Sequence, residues 1–158
     1  PRVKGMADLL QWFVDLPVLL QALGGVIIGF IPFLESYIAG FMGALLGFPW
    51  ALALLAGVVG NVLALIVAVP LGARVASRRG GRELTHRQQK VLDRTNRFGI
   101  PVASLLAPTL MAISLTAFIM VAAGLDRGRT FWWNVAAAVV WGAAATGFGV
   151  WAHEVFLD

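Results

Sequence analysis

One carboxylate stands alone in an apolar stretch of this chain. Glu35 is the only acid between Asp15 and Glu83, and it follows a proline in Phe30-Ile31-Pro32-Phe33-Leu34-Glu35-Ser36. A charge at the centre of a bilayer costs about 2.5–3.5 kcal/mol even on lenient insertion scales, so such a residue faces a cavity or a partner and marks an ion or proton route. A carboxyl shielded from water in this way suits reversible protonation near neutral pH. Two plainer readings place Glu35 at the membrane surface, or make it the cap of a half-helix that accepts backbone N–H bonds. Arg97 begins beside a second apolar segment, and a guanidinium there can hold a phosphate or carboxylate bidentately. Arg94 has the same chemistry but reads equally as part of a solvated basic segment. Asn61 follows Gly57 and Gly60 in Ala56-Gly57-Val58-Val59-Gly60-Asn61, a spacing that lets helices approach closely and lets an amide bond across the contact. Ser104, Thr109, Ser114 and Thr116 either line a polar path or satisfy backbone groups freed by Pro108.

Other chemistries have little to stand on. Cysteine is absent and the two histidines, His86 and His153, are far apart, so neither a thiol-ligated metal nor a His cluster is expected. No nucleotide-binding glycine loop or nucleophile triad is visible. Neither a catalytic residue nor a cofactor is expected. His153 and Glu154 end the last apolar run, where solvated polar residues belong, and Arg127 and Arg129 read as interface anchors.

Composition names the solvent. Hydrophobic residues make up 59% of the chain and charged residues 13%, with a mean hydropathy of +0.85. Ordinary soluble domains are about 45–50% apolar and about 25% charged, so a bilayer rather than water is the expected surround. The pI near 10.7 does not point to nucleic acid. Arg74, Arg78, Arg79, Arg82, Arg87, Lys90, Arg94 and Arg97 are eight of the twelve basic residues, all in one segment between apolar blocks, against only Glu83 and Asp93. Cytoplasmic flanks of membrane spans carry such an excess, and anionic lipid headgroups are its natural partners.

The elements that must position these residues follow from punctuation and length. Residues 5–16 alternate polar and apolar faces as an interfacial helix does, with Trp12 as an anchor. From Tyr37 to Ala73 no charge occurs for 37 residues, whereas one span needs about 20. The block therefore folds back, with a turn at Gly47-Phe48-Pro49 and a full span over 48–73. Residues 17–31 and 37–46 remain as two short arms around the Pro32–Ser36 break, the pattern of a re-entrant hairpin covered by protein. The second half repeats the plan: an uncharged run from Phe98 to Leu125 broken by Pro101 and Pro108, a turn at Asp126–Arg129, and a span over Thr130–Ala152. An odd number of crossings per half inverts the second copy, a recurrent transporter arrangement. Four plain membrane helices with incidental prolines are the simpler alternative. The expectation is a single all-α integral membrane domain over 1–158: interfacial helix 5–16, first repeat 17–73, cytoplasmic basic loop 74–97, second repeat 98–152. The opening residues do not read as a cleavable signal peptide, and a multi-pass protein of the cell membrane is expected.

At these residues the sequence resembles the DedA superfamily of small membrane proteins, especially relatives labelled small multidrug export proteins. Phe30–Glu35 followed by Gly40 resembles that family's proline-and-glutamate motif. Gly57–Asn61 resembles its glycine-glycine-aspartate motif, with Asn61 where aspartate is usual. Arg97–Pro101, running on to Ala107-Pro108, resembles its arginine-phenylalanine-isoleucine-proline motif, with Gly99 as an insertion and Ser104 near the usual second arginine. The likeness covers roughly residues 17–152. It implies an inverted-repeat transporter fold, movement of polyprenyl-phosphate carrier lipids or other phospholipids, and proton-coupled drug tolerance. Glu35 and Arg97 are the residues carried over from that pattern.

The expected function is thus a small transporter or lipid translocase for an amphipathic substrate, with Glu35, Arg97, Asn61 and Ser104 along the substrate or proton pathway. Glu35 would exchange a proton while Arg97 attracts an anionic group. The rival is a non-transporting accessory or scaffold subunit. A homo-oligomer or a larger membrane complex suits these two readings respectively, and neither involves nucleic acid.

Overall fold

The computed structural model describes residues 2–32, 34–78, 85–109 and 111–157. Arg79, Arg82 and Glu83 of the basic segment, and the Arg87 side chain, lie outside the described residues. Among the described residues every regular element is helical. They are α1 (Arg2–Val14), α2 (Val18–Phe30), α3 (Glu35–Leu45), α4 (Trp50–Arg78), α5 (His86–Arg94), α6 (Ile100–Leu106), α7 (Ile113–Ala122) and α8 (Arg127–Phe156). A π-helical turn, Thr95–Gly99, joins α5 to α6, and a 3-10 turn, Ala107–Thr109, follows α6. Two helices, α4 and α8, are long and apolar enough to cross a membrane.

The breaks have local causes. Ile31 is extended (φ −73°, ψ 124°) because the proline that follows it disfavours the helical region. The chain restarts at Glu35, whose φ of 30° is a left-handed value that non-glycine residues rarely adopt. In the second half Pro108 sits in the 3-10 turn, and Ala112 is extended (φ −59°, ψ 142°) before α7 begins. Helices are thus interrupted at Pro32 and Pro108, whereas Pro101, also expected to break the chain, lies in the first turn of α6 and does not interrupt it.

The two short arms end alike. Gly47 (φ 79°) and Gly124 (φ 97°) close α3 and α7 in the left-handed conformation that glycine adopts without strain. Phe48 N–H donates to Gly43 and Gly47 N–H to Ala44; Leu125 N–H donates to Met120 and Gly124 N–H to Val121. Both are Schellman closures. Each turn then leads into a long helix. Residues 47 and 124 are 77 positions apart, so the same structural offset sets Glu35 beside Ala112 and Gly57 beside Asn134.

The expected loop 74–97 is largely helical where it is described. Helix α4 runs on to Arg78, and α5 continues through the π turn into α6. No proline or glycine interrupts His86–Arg97, and Gln89 bonds Asp93 one turn on (2.9 Å). Pro101 then lacks the N–H that would reach the Arg97 carbonyl. Arg129 supplies donors instead, from Nε to the Asn96 carbonyl (2.8 Å) and from its terminal nitrogen to that of Arg97 (3.2 Å). Asn96 Oδ1 also accepts from Asp126 N–H (2.9 Å). The two ends of the 97–126 segment therefore meet. At the other end of α8, His153 Nδ1 donates to the Leu45 carbonyl (2.8 Å), beside the Gly47 turn.

Packing crosses between the halves. Helix α3 lies along α8 and α7 lies along α4, while α2 lies along α4 within the first half. Leu65, Val69, Ile113, Ala117, Val121, Ala137 and Ala138 form the buried core, capped by Leu105 and Trp141. At the α2–α4 crossing a Cβ on Gly60 would run into the Val26 carbonyl oxygen, and one on Gly29 into that of Gly57. Only hydrogen side chains allow the backbones this close.

Candidate functional site

Glu35 is 1% exposed and lies where the two breaks meet. Its Oε2 accepts from Ile113 N–H at 2.8 Å, and its Oε1 accepts from Ser114 N–H at 3.1 Å and from Ser114 Oγ at 3.4 Å. These are the first amides of α7, which its own N-cap residue, Ala112, has no side-chain oxygen to satisfy. The acid of one half thus caps a helix of the other, where the helix dipole favours negative charge. The capping role weighed from sequence is present, but it is buried and it spans the two halves. Next to it Ser36 Oγ donates to the Ala138 carbonyl in the middle of α8 (2.9 Å).

Asn61, on α4, is fully buried and directed at the same carboxyl. It makes no hydrogen bond of ordinary length and angle there, so its amide nitrogen and oxygen are both buried without a partner. A buried amide left unpaired costs about 1–3 kcal/mol. The structure therefore brings Glu35 and Asn61 together, with Ser114 as the third polar group.

Ser104 belongs to a different cluster. Asn134 Nδ2 donates to Ser104 Oγ (2.9 Å) and to the Thr130 carbonyl (2.8 Å), tying α6 to α8. Asn134 Oδ1 and Thr130 Oγ1 are buried there without partners. Arg97 joins neither group. It is exposed at the start of the segment, its guanidinium 5.2 Å from the Phe98 ring centroid, and only its carbonyl is engaged, by Arg129.

An apolar groove of about 380 Å³ opens beside the Glu35 site. Phe30 and Pro32 line it from the first break, Ala64, Val67, Ala68 and Leu71 from α4, and Ser114, Leu115 and Phe118 from α7. Ser114 belongs to both the groove and the Glu35 site. Among the described residues no group of histidine, aspartate and glutamate could hold a metal ion.

The sequence reading passed over Asn134 and Thr130. The available signal was that Asn134 is the one amide in the second long apolar run, as Asn61 is in the first. Ser36 reads from sequence only as the end of the Pro32–Ser36 break, because its partner lies 102 residues away. No family model, curated protein or solved structure matches the chain.

Proposed function

We propose that the chain is a small multi-pass membrane transporter, or lipid translocase, that moves an amphipathic substrate in exchange for protons at Glu35. The carrying observation is the buried contact in which Glu35, at the break of the first half, caps the helix that restarts after the break of the second. Supporting it, α3 and α7 are 11 and 10 residues long, roughly 15 Å each and about half the hydrocarbon thickness. The 97–126 segment returns to its own starting end, held by Arg129 and Asp126. The end of α8 meets the turn of the opposite half through His153. Two re-entrant hairpins entering from opposite faces, in an inverted repeat, account for all three contacts. In this reading α1 lies in the interface and the basic segment 74–97 faces the cytoplasm, beside anionic headgroups. The resemblance to the DedA superfamily belongs to the same reading.

Mechanistically, the ionised carboxylate accepts three hydrogen bonds and holds the halves together. Protonation removes the charge that makes those bonds strong, which loosens the contact between the breaks and opens the groove to one face. Ser36, bonded to α8, and Ser114, on α7, keep the two arms in register during that exchange.

Reconstitution into vesicles with an imposed proton gradient tests this, using a fluorescent phospholipid and a cationic dye as probes. Gradient-driven movement of either probe, reduced at least tenfold by Glu35→Gln, is the expected result. Full gradient-driven movement by Glu35→Gln overturns the proton role. Movement of neither probe by the unaltered protein overturns transport.

A further inference from the structure

Among the described residues Glu35 has no countercharge. No other Asp or Glu, and no Lys, Arg or His, occurs from Leu16 to Ala73, from Phe98 to Leu125 or from Thr130 to Ala152. The groups at its carboxyl are the Ile113 amide and the amide and hydroxyl of Ser114 on α7, with Asn61 on α4 beside them; Tyr37, on its own helix, is the other titratable group within its electrostatic reach. From α8 the contact beside it is a backbone carbonyl accepting from Ser36. Arg97, the cation expected to share the site, is exposed at the outer end of its segment. An ionised carboxyl in this setting is held by dipoles alone, and a paired opposite charge is what a buried ion otherwise requires.

The groove beside it is apolar apart from Ser114. An anionic headgroup there would set a second negative charge against Glu35 with no cation between them. We infer that the site selects a lipophilic monocation: an ammonium, phosphonium or similar centre on an apolar body, seated between Pro32, Ala68, Ser114 and Phe118 with its charge toward Glu35. Rotation of the Ser114 hydroxyl away from Oε1 frees that face of the oxygen while the Ser114 N–H still holds it, and Asn61 supplies a second polar partner while the carboxylate turns. Proton and ligand then compete for one negative charge, so the net charge of the site is the same with either bound. This deepens the transport reading, since it names the substrate class for the same site, but it can be tested without transport.

Tetraphenylphosphonium and tetraphenylborate have nearly the same shape and opposite charge. Binding of each to the full chain in neutral detergent, by equilibrium dialysis, separates charge from apolar fit. The phosphonium is expected to bind at least tenfold more tightly than the borate at pH 8. Its binding should fall at least tenfold in Glu35→Gln, stay within about threefold in Glu35→Asp, and weaken as acid titrates the carboxyl. Ala68→Trp, which fills the groove without touching Glu35, should also weaken it; this variant keeps the test decisive if Glu35→Gln does not fold. Equal binding of the two ions, preference for the borate, phosphonium binding unaffected by a folded Glu35→Gln, or binding unaffected by Ala68→Trp overturns the inference. Glu35-dependent phosphonium binding by a chain that moves nothing across vesicles keeps this inference and removes the transport reading. Proton-driven movement of an anionic lipid in preference to the phosphonium does the reverse.

Discussion

The two halves share a plan but are joined internally by different means. In the first, α2 meets α4 through Gly29, Gly57 and Gly60, backbone against backbone. In the second, Asn134, 77 positions after Gly57, bridges α8 to α6 through Ser104. The breaks differ in the same spirit. The first half carries an acid at the restart of its helix, while the second carries alanine at the equivalent Ala112 and borrows the first half's carboxylate as its cap. A close glycine contact needs no partner chemistry and tolerates no added atom. A polar bridge is adaptable but loses its value when either end is removed. The borrowed cap makes the second break depend on the first, whereas Gly47 and Gly124 close their own helices locally.

Unfolding in mixed detergent, followed through the six tryptophans, can break or sharpen this comparison. Gly60→Ala is expected to have the largest effect, about 3 kcal/mol, because its methyl meets backbone that cannot step aside. Gly147→Ala in α8, where nothing lies within 4 Å, should be neutral or stabilising by up to about 1 kcal/mol; equal losses at both sites would contradict the glycine-contact account. Glu35→Ala comes next, at about 2 kcal/mol, from two buried amides of α7 left without an acceptor. Asn134→Ala should cost about 1–1.5 kcal/mol through its two hydrogen bonds, and should leave phosphonium binding unchanged, since its cluster does not touch Glu35. The smallest change is the most pointed. Ala112→Ser gives α7 its own N-cap and should recover about 1 kcal/mol in the Glu35→Ala background while doing little alone. No recovery would mean that Glu35 stabilises the protein by something other than the cap.

Much of the architecture was legible because its causes are local. Pro32 forces Ile31 out of the helical region whatever surrounds it. The turn at Gly47-Phe48-Pro49 follows from glycine and proline chemistry, whereas the turn expected at Asp126–Arg129 ends at Asp126, whose side chain caps α8 so that Arg127–Arg129 are already helical. The helical continuation through His86–Arg97 was hidden by the charge run, which marks solvent exposure and says little about backbone. Ser104 and Asn61 were singled out as pathway residues on one footing, yet the folded chain puts one against Asn134 and the other against Glu35.

The amino-acid sequence by itself determined that the apolar blocks are helical, that Pro32 and Pro108 interrupt them, and that one carboxylate stands in an apolar surround. Those outcomes depend on φ restrictions, hydrogen-bond donors and hydropathy within a few residues. Only the tertiary structure decided that Glu35 reaches the amides of residues 113 and 114, that Asn61 is left unpaired beside it, and that Arg97 stays outside. Such pairings join residues dozens of positions apart, and they are set by how α3, α4, α7 and α8 pack, which no local preference encodes.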